Sequence, residues 1–386
     1  MELLRVMVEI DSVNAAISGR AEAERSLAEA MERIATAMGL ATRRLPVPGR
    51  GFNLLVTHEV QPGGPWLLFQ SHLDTVGVEG MTIEPFAAQV RQGRMYGRGA
   101  CDTKSSGAAM LWALRLYAQQ GGGPNNVAVL FSIDEEIGKA GITAFVEEHL
   151  PALGWTLNGC VVGEPTRLRL ITAHNGVVRW AIRTQGRAAH SSNPSLGRSA
   201  IRDMVRVIEA IESRYIARLE AHHPLTGPAA CSINLIRGGM QINVIPDRCE
   251  IQLDRRVVPG ESAQAVLPEV ERILDELRAE DAGLEVSQGE PFIDPPLDPS
   301  YSTAWSARVG RVLADLGLDA TPAGVRFGTD ACALGSPERP TIVLGPGDID
   351  QAHTADEWIA LDQVEQAVTV YLNLMRSSPG GDDERG

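Results

Sequence analysis

Short apolar runs in this chain are followed by residues whose side chains could bind a metal ion. The residues that follow these runs are His72 with Asp74, Asp134 to Glu136, Glu164, and His353. Short apolar runs bounded by glycine, proline or polar residues are typical of buried parallel strands. In open α/β sheets, ligands bind beyond the carboxyl ends of the strands, and imidazole and carboxylate are zinc ligands. The pattern therefore predicts a metal site at one edge of a sheet.

Each candidate ligand taken alone also fits a structural role. His72 with Asp74 could be a strand-end histidine beside an acid, and Asp102 precedes a helical segment that it could cap. Glu164 and His353 could be structural as well. The combination favours a metal site, because two metal ions that share one carboxylate need about this many ligands. The residues alone therefore indicate a metal-dependent hydrolase.

The acidic pair Glu135–Glu136 differs from the pair Glu147–Glu148 in its position. The first pair follows a strongly apolar strand, whereas the second lies in a helical setting that suggests a solvated face. At a metal site, one carboxylate of a pair could bind metal while the other carries a proton. We expect the first pair to divide its roles in this way.

The composition is that of a globular protein of roughly two domains, with 386 residues, 44% hydrophobic and 22% charged. The formal net charge of −14 argues against nucleic acid or an anionic membrane as a partner, since both need a basic surface. The five cysteines are scattered without a Cys-x-x-Cys pair, as expected of reduced thiols. Neither a signal peptide nor a transmembrane segment is apparent, so we expect a cytoplasmic protein.

The apolar pattern predicts an α/β catalytic domain that is interrupted by a smaller domain. Up to about residue 176, strands alternate with helices, which indicates a mixed, mostly parallel sheet with helices on both faces. Residues 177–289 follow the order strand, helix, strand, strand, helix, strand, which is that of a ferredoxin-like α+β unit. Residues 1–176 and 290–386 would then be the two parts of the catalytic domain.

From about residue 52 to residue 359 the chain resembles the M20 metallopeptidases and deacylases. The motifs that carry the resemblance are residues 71–76 (SHLDTV), 96–104 (YGRGACDTK), 134–136 (DEE), 163–166 (GEPT), 186–192 (GRAAHSS) and 345–347 (GPG). Within the family, residues 173–176 (AHNG) and 345–353 (GPGDIDQAH) resemble the acetylornithine deacetylases.

The resemblance implies a ligand set for two zinc ions, for which cobalt could substitute. His72, Asp102 and Glu164 would bind one ion. Asp102, Glu136 and His353 would bind the other, so that Asp102 bridges the two.

Further residues acquire catalytic or binding roles from the same resemblance. Glu135 would be the general base, and Asp74 would orient the imidazole of the metal-bound histidine two positions before it. His190 resembles a lid histidine that reaches the active site of a neighbouring subunit. Asn243 and Arg256 match positions that grip the substrate carboxylate. The inserted domain would be the lid and the homodimer contact.

These roles imply hydrolysis of a linear amide bond in a small N-acyl amino acid. The expected reaction is the conversion of N-acetyl-L-ornithine and water to ornithine and acetate, a step of arginine biosynthesis. A succinyl-diaminopimelate desuccinylase and an M20 carboxypeptidase or dipeptidase stay open as alternatives, since a dipeptide offers the same amide and carboxylate. A non-catalytic metal-binding scaffold with this fold is the remaining alternative.

Overall fold

The computed structural model describes residues 1–378, which divide into two compact units. Unit 1 comprises Met1–Thr172, Asp298–Ala323 and the described residues from Thr329 onward, and unit 2 comprises Ala173–Leu297 and Gly324–Gly328. The predicted insertion over residues 177–289 lies inside the longer segment of unit 2.

The α-helices of the described residues are α1 (Glu2–Glu9), α2 (Ala15–Ser18), α3 (Arg25–Ala37), α4 (Lys104–Gln119), α5 (Ala140–Ala144), α6 (Leu150–Leu153), α7 (Ala200–Arg214), α8 (Val266–Glu280), α9 (Thr303–Asp315), α10 (Ala331–Leu334) and α11 (Leu361–Arg376). A π-helical segment, Phe145–His149, joins α5 to α6. On α3, Leu27 and Met31 are buried, and Gly39 follows the helix with φ 78°, as is common beyond a helix end.

The strands of the described residues are β1 (Ala41–Val47), β2 (Gly51–His58), β3 (Trp66–His72), β4 (Gln89–Arg91), β5 (Arg94–Tyr96), β6 (Asn126–Ser132), β7 (Leu157–Val162), β8 (Ile171–His174), β9 (Gly176–Gln185), β10 (Ala189–His190), β11 (His222–His223), β12 (Gly227–Pro228), β13 (Ala230–Gly238), β14 (Val244–Ile245), β15 (Arg248–Val257), β16 (Glu285–Gln288), β17 (Phe292–Asp294), β18 (Ala323–Val325), β19 (Thr341–Val343) and β20 (Trp358–Ala360).

The large sheet has the strand order β1-β2-β6-β3-β7-β19-β8-β18. Its centre is parallel, since β3 pairs in parallel with β6 and β7, and β7 pairs in parallel with β19. The pairs β1–β2, β2–β6 and β19–β8 are antiparallel. The predicted mixed sheet is confirmed, and its parallel strands all direct their carboxyl ends to one edge.

Helices cover both faces of this sheet. Leu67 and Phe69 of β3 belong to the large apolar core that includes residues of α4 and α11. Gln70 points to the opposite face, as alternation along a strand requires. Its Nε2 donates to Asp330, the residue that precedes α10. The central strands are therefore buried on both sides, which explains why β3 and β6 consist almost entirely of buried residues.

Unit 2 contains an antiparallel sheet with the order β13-β15-β9-β16, and β17 also pairs with β9. Along the chain the elements follow the order β9, α7, β13, β15, α8, β16. Apolar residues of α7 and α8 pack with alternate residues of β9 and β15 in a separate core. The predicted ferredoxin-like unit is confirmed.

No helix within residues 1–378 has the length and apolar character needed to cross a membrane. All five cysteines are free thiols. The cytoplasmic location stays a prediction.

Candidate metal centre

Two groups of side chains in unit 1 meet at a shared carboxylate. His72 Nε2 lies 3.2 Å from Asp102 Oδ1 and 3.9 Å from Glu164 Oε1. His353 Nε2 lies 3.3 Å from Asp102 Oδ2 and 3.3 Å from Glu136 Oε2. Within each group the ligand atoms lie within 4.8 Å of one another. Each oxygen of Asp102 thus faces a different group, which is the geometry of a carboxylate that bridges two ions, and the donor types suit zinc.

The parallel strands bring these residues to one edge of the sheet. His72 ends β3, Glu136 follows β6, and Glu164 follows β7. Asp102 lies in the turn before α4, and the peptide bond that follows it is cis. His353 comes after a 3-10 turn and has φ 59°, an unusual conformation for a residue other than glycine. Distant segments therefore converge because their strands end at the same edge.

Two glycines permit the close approach of the segment that leads to His353. A Cβ atom on Gly345 would lie 2.4 Å from the carbonyl oxygen of Glu164. A Cβ atom on Gly347, where φ is +89°, would lie 2.6 Å from the sulfur of Cys101. A side chain at either position would push this segment away from Glu164, which follows β7, and from Asp102, which precedes α4.

Glu357, a residue that sequence reasoning missed, holds the turn that carries Asp102, the candidate bridging ligand. Its carboxylate is fully buried and accepts hydrogen bonds from the backbone N–H groups of Gly99 (3.1 Å), Cys101 (2.8 Å) and Asp102 (3.1 Å). It also forms an ion pair of 2.7 Å with Arg98, which is itself buried. The position of Asp102 is thus fixed through its own backbone, independently of any metal.

Asp74 contacts the imidazole of His72 at Nδ1. That nitrogen lies 2.9 Å from the Asp74 carbonyl oxygen and 3.6 Å from its carboxylate. The carbonyl oxygen is an acceptor, so it fixes the proton on Nδ1 and leaves Nε2 to face the other candidate ligands. The Asp74 carboxylate also accepts the N–H groups of Glu135 (3.0 Å) and Glu136 (3.0 Å). The role of Asp74 in orienting the ring stays a prediction.

Asn14 is a further residue that sequence reasoning missed, since it resembles an ordinary helix cap. Its Oδ1 does accept the N–H of Ala16 at the start of α2. Its Nδ2, however, donates to Asp74 (2.8 Å) and to Asp134 (3.1 Å). Arg50 completes this network with an ion pair of 2.6 Å to Asp134. The acidic segment after β6 is thus anchored at both of its ends.

Glu135 lies among charged groups. Its carboxylate is 3.5 Å from Nζ of Lys139, and both side chains are only 11% exposed. Nearby, the buried carboxyl group of Asp330 accepts hydrogen bonds from Gln70 (2.7 Å) and Ser132 (3.1 Å). Burial, followed by the charge of Glu135, raises the pKa of Asp330 well above its usual range. Neither Lys139 nor Asp330 carried a sequence signal beyond that of a turn residue and a helix cap.

The protein groups alone leave this cluster short of positive charge. Burial raises the pKa of Glu136 to about 7 and that of Glu164 well above its usual range. Hydrogen bonds to Asp102 and Glu136 raise the pKa of His353 to about 10. At His72 burial acts to lower the pKa, but the neighbouring carboxylates outweigh it and raise the value. Protons thus occupy the ligands where a cation would otherwise neutralise the carboxylates.

Three predicted site residues lie in unit 2. Strand β10 pairs with β14, so His190 lies opposite Val244 and next to Asn243, and both His190 and Asn243 are exposed. Arg256 is ion-paired with Asp254 (2.6 Å), which also binds Arg179 (2.8 Å). The guanidinium that was expected to be available to a substrate carboxylate already has a partner in its own strand.

Two ligand groups that share one carboxylate define the geometry of the two-metal hydrolases. The chain matches the peptidase family M20/M25/M40 over residues 68–377. It is 30% identical to an acetylornithine deacetylase of Edwardsiella ictaluri, over 97% of this chain and 96% of the relative. The chain belongs to peptidase family M20, and it is a hydrolase that acts on amide bonds.

Solved structures agree with this fold. An aminopeptidase PepT from Bacillus cereus superposes with a TM-score of 0.76 at 20% identity, over 96% of both chains. A dinuclear metal-binding M20 peptidase from Bacillus subtilis superposes with a TM-score of 0.73 at 18% identity, over 97% of this chain and 96% of the other. At these identities the likeness establishes the architecture only.

Replacement of Glu357 by Gln should weaken both metal binding and the fold. The amide cannot accept all of the hydrogen bonds, and Arg98 would lose its buried partner. We expect the free energy of unfolding to fall by about 3–5 kcal/mol and metal affinity to fall by about 10–100-fold. Denaturant unfolding and metal content after dialysis measure these changes. Glu365→Gln, on an exposed position of α11, is the matched control. Unchanged affinity and stability in Glu357→Gln would refute the anchoring role.

Metal affinity should fall as the pH is lowered from about 8 to about 6. The ligands must be deprotonated to bind metal, yet the pKa of Glu136 is about 7 and that of His353 about 10 in the protein alone. A lower pH adds protons to these ligands, so affinity should drop by up to about tenfold per pH unit for each proton displaced. Calorimetric titration in buffers of different ionisation enthalpy counts those protons. A pH-independent affinity without proton release would contradict the expectation.

Proposed function

We propose that this hydrolase removes the acyl group from an N-acyl amino acid and that N-acetyl-L-ornithine is its substrate. The observation that carries the proposal is the shared carboxylate of Asp102, with a histidine at each of its oxygens. The acetylornithine deacetylase relatives support the choice of substrate. Dipeptides form the second candidate class, because they contain the same amide next to an α-carboxylate.

The metal ions we propose are two zinc ions, with cobalt as a substitute. His72, Asp102 and Glu164 would hold one, and Asp102, Glu136 and His353 the other. When bound, the pair supplies Lewis acidity, which lowers the pKa of a water molecule and polarises the substrate carbonyl group.

Glu135 is the residue that moves the proton in this proposal. Burial raises the pKa of its carboxyl group, which makes the carboxylate a better proton acceptor. It takes a proton from the attacking water and returns it to the leaving amine as the C–O bond forms and the C–N bond breaks. The Asp74 carboxylate accepts a hydrogen bond from the Glu135 backbone, and Lys139 forms an ion pair with the Glu135 carboxylate. The orientation of the Glu135 side chain is therefore set before substrate binds.

The roles of the unit 2 residues rest on the family resemblance. His190 would donate a hydrogen bond to the oxyanion that develops on the amide oxygen. Asn243 and Arg256 would bind the substrate carboxylate. Since Arg256 is paired with Asp254, it must exchange or share that partner when substrate binds. The α-carboxylate would then gain a charge-assisted contact in an otherwise acidic protein.

A panel of amides tests the substrate assignment. We expect acetyl-ornithine to give the highest kcat/KM among acetyl-, succinyl-, formyl- and aminoacyl-amino acids, measured by amine release with metal-loaded enzyme. Succinyl-diaminopimelate or a dipeptide at the top of the panel would reassign the substrate within the same chemistry.

Glu135→Gln serves as the inactive comparison in the panel. It should retain both metal ions, since Glu135 belongs to neither ligand group, and should lose nearly all turnover. Glu147→Gln on the exposed π-helical segment is the matched control. Full activity in Glu135→Gln would remove it from the role of base, and wild-type protein that binds metal but hydrolyses nothing would favour a scaffold.

We also propose that unit 2 forms a homodimer through β13. This strand lies at the edge of its sheet. Leu235 and Ile236 on it are 48% and 57% exposed, and Met240 and Ile242 beyond it are 90% and 103% exposed. An apolar edge strand is a favourable surface for pairing with another chain.

Ile236→Asp should convert this dimer to a monomer in light scattering after size exclusion. A charge in the centre of an apolar contact would lose its hydration without gaining a partner. Val60→Asp, at an exposed apolar position of unit 1, is the control. A monomeric wild type, or an Ile236→Asp variant that stays dimeric, would rule out this contact.

A further inference from the structure

The loop that carries His190 is ordered by its own backbone. The N–H of Asn193 donates to the His190 carbonyl oxygen (2.9 Å), which closes a turn after β10. The N–H of Ser191 donates to the carbonyl oxygen of Asn243 (3.0 Å) and ties this turn to the segment before β14. Both ends of the loop also meet, since Arg187 and Arg198 exchange backbone hydrogen bonds of 2.8 and 2.9 Å.

Ser192 lies within this turn and contacts the imidazole of His190. Its backbone N–H donates to Nδ1 of the ring at 3.1 Å. Its hydroxyl oxygen lies 2.7 Å from the same nitrogen. Both contacts involve Nδ1, so the turn holds the ring at that nitrogen and Nε2 points away from the turn.

The two contacts place different constraints on which ring nitrogen of His190 carries the proton. A hydroxyl group donates or accepts, so it is compatible with either form of the ring. A backbone N–H only donates, so its partner must be a nitrogen that offers a lone pair. A ring nitrogen with a lone pair carries no proton. In the neutral imidazole, the proton must therefore be on Nε2.

We infer that Ser192 is a positioning residue that fixes His190 as its Nε2–H tautomer, so that the ring presents one outward hydrogen-bond donor. This inference rests on the proposed function, in which His190 donates to the oxyanion of the scissile amide. The opposite tautomer would present a lone pair to a developing negative charge and would repel it. The turn therefore selects the only neutral form of the ring that can stabilise the oxyanion.

The tautomer is measured without substrate. Protein labelled with ¹⁵N-histidine gives long-range proton–nitrogen correlations, and His190→Gln assigns the His190 signals. In the spectrum of the neutral ring, we expect Nδ1 to be unprotonated and Nε2 to be protonated. Ser192→Ala keeps the backbone N–H and should keep this tautomer, with Ser191→Ala as the matched control. A protonated Nδ1 in the wild type, or loss of the preference in Ser192→Ala, would overturn the backbone assignment.

The activity of His190 variants provides a second, independent test of which ring nitrogen donates the hydrogen bond. The side-chain amide nitrogen of Gln reaches about as far as Nε2 of histidine, whereas that of Asn reaches only as far as Nδ1. We expect His190→Asn to lose roughly 10²–10³ in kcat, and His190→Gln to retain about tenfold more activity than Asn. Equal activities, or a more active Asn variant, would reject an Nε2–H donor.

Failure of the inference and failure of the proposed function give different results. If the protein hydrolyses no amide, the nitrogen spectra still report which ring atom carries the proton. If the spectra show a protonated Nδ1 while the amide panel gives turnover, the proposed function stands and the role of Ser192 is refuted.

Discussion

The structure is organised around a buried carboxylate that must satisfy two histidines at once. Asp102 presents one oxygen to His72 and the other to His353, and three further acids lie within the same small volume. Burial makes so many carboxylates unfavourable unless positive charge accompanies them. In the protein alone, protons supply part of the positive charge that these carboxylates need. A pair of divalent cations would supply all of it, which supports the proposed metal centre over a set of ordinary ion pairs.

A cluster that repels itself needs a scaffold that does not depend on the ligands. Here the backbone provides it. Glu357 holds the turn before α4 through three backbone N–H groups, and the Asp74 carboxylate holds the segment after β6 in the same manner. Asn14 then links Asp74 to Asp134. Because these bonds go to backbone atoms, they position the segments that carry the candidate ligands without using the ligand side chains themselves, as preorganised sites require.

The same principle extends to unit 2, where backbone bonds order the His190 loop and a backbone N–H contacts the imidazole. Arg256, the proposed contact for a substrate carboxylate, is held by a side chain instead. Arg256 and Arg179 share the carboxylate of Asp254, which restrains both guanidinium groups. One negative charge between two positive charges leaves the group with a net positive charge.

The sequence by itself determined the fold class, the ferredoxin-like insertion and the ligand candidates. These predictions follow from the spacing of apolar residues and from the polar residues that come after apolar runs. A run that leads to His72, Glu136 or Glu164 places a polar group at the end of a buried strand. The sequence could not determine Glu357 or Asn14, because an acid in a loop and an asparagine before a helix are locally ordinary. Their partners lie 255 and 60 positions away at Asp102 and Asp74. Only the tertiary structure decided which atoms meet, because hydrogen-bond partners across such separations are set by the packing of the sheet and not by local spacing.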